Sequence, residues 1–137
     1  DSDDVKDRID QVVAQTMDWR NSSIGYFYGR KQGWDDYVKL GGRLEVLYQK
    51  LNAFMELNQT YYSTDDKVTL ADFHLWEMID QHEAWFRSLG VESLLPNYPH
   101  LLRLHTALRE DKKLAGYYRS DYYAKYAMNN PHAIFLH

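Results

Sequence analysis

Histidines and carboxylates are the side chains of this sequence that could bind a metal or move protons. His74 and His82 lie eight residues apart on one predicted helix, and His100 and His105 lie five apart on the next. Neither spacing matches the H-E-x-x-H pattern, in which two histidines on one helix face bind zinc. The chain has no cysteine to complete a site. We therefore predict packing or surface roles for these histidines, no metal site and no resident cofactor.

Asp80 and Glu83 form a second candidate, because a pair of carboxylates can act as general acid and general base. The two residues are three apart in the sequence, which makes them neighbours on a helix surface. One turn of helix does not by itself define acid–base catalysis. We assign both side chains to structural or interhelical hydrogen bonds.

The string Thr69-Leu70-Ala71-Asp72 has the spacing of a helix capping box. In this arrangement the Thr69 hydroxyl accepts from the Asp72 amide, and the Asp72 carboxylate accepts from the Thr69 amide. Many helices begin in this way. The pattern therefore predicts a structural role for Thr69 and Asp72 at the start of a helix.

One stripe on the first predicted helix combines apolar and polar side chains. At about 100° per residue, Met17, Asn21, Ile24 and Tyr28 fall within roughly 40° of one line, with Arg20 at its edge. A stripe of this kind that ends in a phenol suits the wall of a pocket for hydrophobic ligands. The alternative is an ordinary core stripe whose tyrosine covers the end.

The elements that must position these residues are helices, because apolar residues recur at three- and four-residue spacing. No stretch shows the sustained alternation of a strand. The third helix is apolar around most of its circumference, which predicts a buried central position. Gly41-Gly42 lies in the middle of the second predicted helix. This pair is either a local weakness of that helix or a place where two helices approach closely. The prediction is one all-α domain, 1–137, built as a bundle of about five helices over 4–28, 34–57, 68–90, 99–110 and 111–128.

Composition excludes several classes of protein. The chain is 45% hydrophobic and 26% charged, which is typical of a globular protein and not of a disordered one. Its net charge of −4 argues against a nucleic-acid partner, since phosphate neutralisation needs a basic face. No apolar run approaches the roughly 20 residues of a membrane span, and no signal peptide opens the chain. The expected location is therefore cytoplasmic.

Several segments together resemble the helical C-terminal domain of cytosolic glutathione transferases, most closely the mu class. The central resemblance is the string DKVTLADF followed by LWEMIDQHEAWF, which is similar to the capping-box helix of that family. Upstream QTMDWR is similar to part of its first helix, and downstream LPNYPHLLRL and KLAGYYRS are similar to its next segments. The resemblance covers about residues 4–122, whereas 123–137 departs from the mu pattern.

This resemblance implies a function for the chain. Glutathione transferases add the thiolate of glutathione, as co-substrate, to hydrophobic electrophiles. Their helical domain supplies most of the electrophile site and contributes to a cytoplasmic, detoxifying homodimer. The thioredoxin-like N-terminal domain, which activates the thiol, is absent from this chain, so we expect the chain alone to be inactive. Neither a nucleic acid nor a membrane is expected as a partner.

The resemblance also implies roles for residues of the first helix. Tyr28 matches a tyrosine whose hydroxyl assists catalysis by hydrogen-bonding an oxygen that develops charge on the electrophile. Asp18 matches an acid that reaches across the dimer to the γ-glutamyl ammonium of glutathione; the alternative is a solvated helix carboxylate. The substrate-binding residues expected beside Tyr28 are Met17, Arg20, Asn21 and Ile24.

Two other functions compete with the enzyme. Similar helical domains occur without catalysis as interaction modules in elongation-factor subunits and synthetase scaffolds, and a lens-crystallin-like structural role is a third option. Interaction modules tend to lack the polar groups of the pocket. Because Asp18 and Tyr28 both stand at family positions, the sequence favours the enzyme.

Overall fold

The fold is entirely helical over the part of the chain that the structure describes. The computed structural model describes residues 2–29, 33–39, 41–125, 129 and 131–133. Over these residues no helix has the length and apolar character needed to cross a membrane. The predicted all-α class is confirmed. The helices are α1 (Ser2–Phe27), α2 (Trp34–Val38), α3 (Arg43–Asn58), α4 (Leu70–Leu89), α5 (Pro99–Arg109), α6 (Ala115–Tyr118) and α7 (Asp121–Lys125), with a short 3-10 turn at Leu95–Asn97.

Helix α4 is the buried centre of the bundle, as its apolar circumference predicts. Leu75, Met78 and Ile79 are fully inaccessible to solvent. Helix α1 packs along α4, α5 packs against α4, and α3 packs on α5. The helix ends at Gly90, which has the left-handed φ of 66°, while the next amide, of Val91, donates to the Phe86 carbonyl at 2.9 Å. This is the ordinary glycine stop of a helix.

The predicted capping box at the head of α4 is confirmed and forms part of a larger buried junction. Thr69 and Asp72 make the reciprocal contacts of the box, and the Thr69 amide donates to Asp72 Oδ2 at 2.6 Å. The other oxygen, Oδ1, accepts from the Ser63 amide at 2.7 Å and from the Ser63 hydroxyl at 2.5 Å. Asp72 is fully buried. One carboxylate therefore caps α4 and holds the α3–α4 loop against it.

The prediction of one helix over 34–57 is wrong, because the chain turns sharply between α2 and α3. Gly41 has a φ of 80°, which L side chains rarely adopt. At Gly42, a Cβ atom would lie 2.5 Å from the Asp36 carbonyl oxygen and 2.8 Å from that of Lys39. The two glycines thus mark a turn that approaches its own backbone. Position 40, within the predicted helix, lies outside the described residues.

The prediction of one last helix over 111–128 is also wrong. The Asp111 carboxylate accepts the backbone N–H two residues later at 2.7 Å, which forms a turn in place of a first helical turn. The Ser120 hydroxyl then interrupts the helix between α6 and α7, because it accepts from the Tyr123 amide at 3.3 Å in the manner of an N-cap. Positions 126–128 lie outside the described residues.

The junction at Asp72 leads to a prediction about stability. Loss of the Thr69 cap should cost about 1 kcal/mol. Asp72→Ala removes the cap and also leaves buried donors of Ser63 and Thr69 unpaired, each costing roughly 1–3 kcal/mol. We therefore expect a lower urea midpoint for Thr69→Ala and a much lower one for Asp72→Ala. The midpoint is measured by far-ultraviolet circular dichroism.

Asp10→Ala is the matched control, because Asp10 is an exposed carboxylate of α1. Its removal deletes the same charge and should leave the midpoint within about 0.5 kcal/mol of wild type. Equal midpoints for Asp72→Ala and Asp10→Ala would contradict the prediction that the buried Asp72 carboxylate stabilises the fold.

Candidate functional site

A groove of about 320 Å³ lies between α1 and α3 and contains Asp18. Three polar side chains of α1 line one wall, and two basic and two aliphatic side chains of α3 line the other. Two aromatic residues complete the lining. The lining residues are Gln15, Asp18 and Ser22 on α1, Arg43, Val46, Leu47 and Lys50 on α3, and Trp19 and Tyr37.

Helical periodicity explains why these side chains share one groove. Residues seven apart lie on the same face of a helix, two turns from one another. Gln15 and Ser22 have this spacing on α1, and Arg43 and Lys50 have it on α3. Sequence reasoning identified Asp18 and missed the opposite wall. The seven-residue spacing of the two basic residues was the signal available in the sequence.

The charged groups of the groove are exposed and form no ion pair with any residue that the structure describes. Asp18, Arg43 and Lys50 are all exposed. None of the three takes part in any of the five ion pairs found over the described residues. The groove therefore presents a negative charge on one wall and positive charge on the other, available to a ligand.

A buried hydrogen-bond network lies behind the two aromatic residues of the groove. Trp19 Nε1 donates to the Tyr37 hydroxyl at 3.1 Å and to His82 Nε2 at 3.2 Å. The Ser23 hydroxyl donates to the Trp19 carbonyl at 2.8 Å and lies 2.9 Å from the Tyr37 hydroxyl. His82 Nδ1 lies 2.8 Å from the Met78 carbonyl. Since a carbonyl only accepts, the His82 proton is on Nδ1 and Nε2 is the acceptor.

Burial keeps the titratable members of this network neutral. His82 is fully buried, and this desolvation lowers its pKa to about 4, although the bond to Met78 acts in the opposite direction. Burial likewise raises the pKa of Tyr37 above its ordinary value, against hydrogen bonds from Ser23 and Trp19. A neutral network joins α1, α2 and α4 and fixes the aromatic side of the groove. The predicted packing role of His82 is confirmed in this form.

The predicted pocket-wall residues lie on a different, open face of α1. Met17 and Ile24 are 45% and 38% exposed, and Asn21 is exposed as well. Arg20, at the edge of this face, forms an ion pair at 2.9 Å with Glu77 of α4. The structure thus places Met17, Asn21 and Ile24 of the predicted stripe on one exposed helix face.

Tyr28 directly follows the last residue of α1 and is half-buried. Its amide donates to the Ile24 carbonyl at 3.0 Å, which continues the helical ladder, and its side chain packs against the hydrophobic core. Asp18 instead lines the groove beside α3. The two residues predicted to bind different substrates therefore lie on different faces of α1, as the helical angles predict.

Asp80 makes the interhelical hydrogen bonds predicted for it. His105 Nε2 of α5 lies 3.1 Å from Asp80 Oδ1, and the Tyr123 hydroxyl of α7 donates to Oδ2 at 2.7 Å. Burial raises the pKa of Asp80, but these hydrogen bonds and the positive charge of Arg109 outweigh it, so the pKa lies below its usual range. Glu83 accepts from Ser93 at 2.8 Å, and its burial raises its pKa.

The remaining histidines do not gather into a metal site within the described part of the chain. His105 stacks on Trp76 with ring centroids 6.0 Å apart. The His100 amide donates to Asn52 at 2.9 Å, and His74 is half-buried. Across the described residues, no group of three or more histidine, aspartate or glutamate side chains is placed to hold an ion.

Two curated proteins that are similar to this chain are glutathione transferases. Glutathione S-transferase Mu 3 of Homo sapiens is 27% identical over 132 residues, which cover 95% of this chain and 54% of the relative. The same protein of Macaca fuscata fuscata matches with the same identity and coverage. The chain thus spans about half the length of the curated relatives it matches. No solved structure shows a significant match.

A protein-family model described as "Glutathione S-transferase, C-terminal domain" matches residues 17–121. This range runs from the middle of α1 to the start of α7. It includes the buried network, all of α4 and every lining residue of the groove except Gln15. The chain therefore belongs to the glutathione S-transferase C-terminal domain family.

Proposed function

We propose that this chain is the substrate-binding and dimerisation domain of a glutathione transferase that conjugates glutathione to hydrophobic electrophiles. The observation that carries the proposal is the similarity to two Mu 3 glutathione transferases along 95% of the chain. A cytoplasmic homodimer is part of the proposal. The rival function, a non-catalytic interaction module, predicts no dependence of any activity on Asp18 or Tyr28.

Asp18 has the properties needed to bind the ammonium group of glutathione. Its carboxylate is exposed in the groove, and a carboxylate-to-ammonium hydrogen bond is among the stronger polar contacts in proteins. Asp18 and Tyr28 are ten residues apart, so about 15 Å of helix separates them. In a two-fold dimer, each α1 can serve its own pocket with one face and its neighbour's with the other. Asp18 then binds the glutathione of the partner subunit.

The open face of α1 provides the contact with the electrophile. Met17 and Ile24 offer apolar surface, and Asn21 and Arg20 add polar groups along the same helix. Tyr28 at the end of this face donates its hydroxyl to the oxygen on which charge develops. Such a donor contributes to rate only through the transition state.

Substitutions at Asp18 and Tyr28 should separate these two roles. Asp18→Asn should raise the KM for glutathione about tenfold, the factor that corresponds to about 1.4 kcal/mol. Tyr28→Phe should leave that KM unchanged and lower kcat for epoxide substrates, because only transition-state binding is lost. The measurement is steady-state kinetics on the full-length protein with glutathione and electrophile varied in turn.

Asp10→Asn and Tyr61→Phe are the controls, since both residues are exposed and lie outside the groove and the open face. Neither should change the kinetics. A glutathione saturation curve for Asp18→Asn that overlays that of wild type would contradict the cross-dimer role.

The 137-residue chain by itself should conjugate no glutathione. A thiol near its ordinary pKa is mostly protonated at neutral pH, and the chain has no cysteine or assigned donor that would activate it. Assay with a reactive aryl halide should therefore give only the background rate. Turnover well above background by the 137 residues alone would contradict the prediction that these residues cannot activate the thiol of glutathione.

A further inference from the structure

The open face of α1 has a positively charged side chain at its edge. Arg20 is three residues after Met17 and four residues before Ile24, so it adjoins both of them on the helix surface. Met17 and Ile24 are 45% and 38% exposed. The Arg20 guanidinium forms an ion pair with Glu77 of α4. It therefore lies beside exposed apolar surface, on the side of the face that borders α4.

The ion pair between Arg20 and Glu77 is exposed and uses little of the binding capacity of the guanidinium. Arg20 Nη2 donates to Glu77 Oε2 at 2.9 Å, and the two side chains are 33% and 55% exposed. Among the residues that the structure describes, Glu77 alone accepts a hydrogen bond from this side chain, whereas a guanidinium has several N–H donors in a planar fork. Because exposed ion pairs are weak, a carboxylate of a ligand can replace Glu77 as the partner of Arg20.

Apolar side chains flank this ion pair on both helices. Phe73 precedes Glu77 by four residues on α4, which makes the two residues neighbours on that helix, and Phe73 is 41% exposed. Met17 and Ile24 flank Arg20 on α1. A hydrophobic molecule with one anionic group fits this arrangement, because its apolar part covers exposed side chains while its anion meets the guanidinium.

We propose that Arg20 selects electrophiles that carry a carboxylate, and that Glu77 limits this preference by competing for the guanidinium. The inference rests on the proposed function, since it takes the open face of α1 as the contact with the electrophile, and it names the class of electrophile. A guanidinium binds a carboxylate through two parallel N–H···O bonds. The favoured substrates are therefore hydrophobic molecules that combine a reactive carbon with a carboxylate.

The positions of the two charges favour an anionic ligand over a cationic one. Arg20 lies between Met17 and Ile24 on the face that contacts the electrophile, whereas Glu77 belongs to α4. A cation would have to take Glu77 from Arg20 and would then lie beside an unpaired guanidinium. An anion meets the guanidinium directly. An uncharged electrophile gains only the apolar contacts.

The test compares two aryl halides that differ in one charge. 4-Chloro-3-nitrobenzoate carries a carboxylate, and 4-chloro-3-nitrobenzamide has an uncharged amide at the same ring position. In both reactions the thiolate sulfur of glutathione bonds to the ring carbon and chloride leaves. Because the two compounds differ in intrinsic reactivity, each variant is compared with wild type on the same compound. The measurement is steady-state kinetics on the full-length protein at saturating glutathione.

The two variants of the ion pair should have opposite effects. Arg20→Gln should raise the KM for the benzoate roughly tenfold, the factor that corresponds to about 1.4 kcal/mol, and should change the KM for the benzamide far less. The kcat should change little, because the carboxylate keeps its charge during the reaction and is bound equally in the ground state and the transition state. Glu77→Gln removes the competing carboxylate and should lower the KM for the benzoate.

Lys112→Gln and Glu92→Gln are the matched controls. They make the same changes of net charge as Arg20→Gln and Glu77→Gln, at exposed positions outside α1 and α4. Neither control should change the kinetics with either compound.

Three results would overturn the proposal. A benzoate KM that rises in both Arg20→Gln and Glu77→Gln would make the ion pair a structural bridge, because the two variants break the same contact. Equal changes for benzoate and benzamide in Arg20→Gln would remove the selectivity and leave the proposed function intact, since wild type then conjugates both compounds. Wild-type protein that conjugates neither compound would reject the proposed function as well.

Discussion

The structure depends on the pairing of polar side chains that α4 carries into the interior. Asp72, Asp80, Gln81 and His82 are each 7% exposed or less, and an unpaired polar group at such a site costs several times the net value of a hydrogen bond. Each has a partner on another element. Gln81, for example, donates to Asn129 at 3.1 Å. Helix α4 therefore positions the α3–α4 loop, α1, α2, α5 and the C-terminal segment at Asn129.

The same constraint connects the core to the groove. His82 accepts from Trp19, Trp19 also donates to Tyr37, and these two aromatic residues line the groove beside Asp18. A charged histidine could not accept there, and it is burial that lowers the pKa of His82 and keeps its ring neutral. The exposed charges of the groove thus lie beside a buried network whose Trp19, Tyr37 and His82 side chains are hydrogen-bonded to one another. The buried network thus fixes the positions of the aromatic residues of the groove.

Sequence reasoning predicted the elements whose signals are local or strongly periodic. The capping box at Thr69, the glycine stop after α4 and the buried character of α4 could all be read from spacing and composition. At Gly41-Gly42 the sequence marked a weak point or a close approach, but not the sharp turn, which depends on the close approach of the backbone to itself. The break at Ser120 could not be predicted, because it depends on a competing side-chain bond. Arg43 and Lys50 were missed because they face Asp18 across a groove only when α3 is packed opposite α1. The resemblance to a known family supplied the roles proposed for Asp18 and Tyr28, which spacing alone left open.

The most direct test of this account is a pH titration of the His82 ring by heteronuclear NMR in the folded protein. An unfolded histidine binds a proton near pH 6.5, whereas folded His82 should do so only near pH 4. Its contribution to stability, of the order of 3 kcal/mol, is then complete above pH 6.5 and is lost as the pH falls towards 4. We predict a neutral ring with its proton on Nδ1 throughout pH 5–8. Titration of His82 near pH 6.5 in the folded protein would contradict the buried, neutral network on which the groove depends.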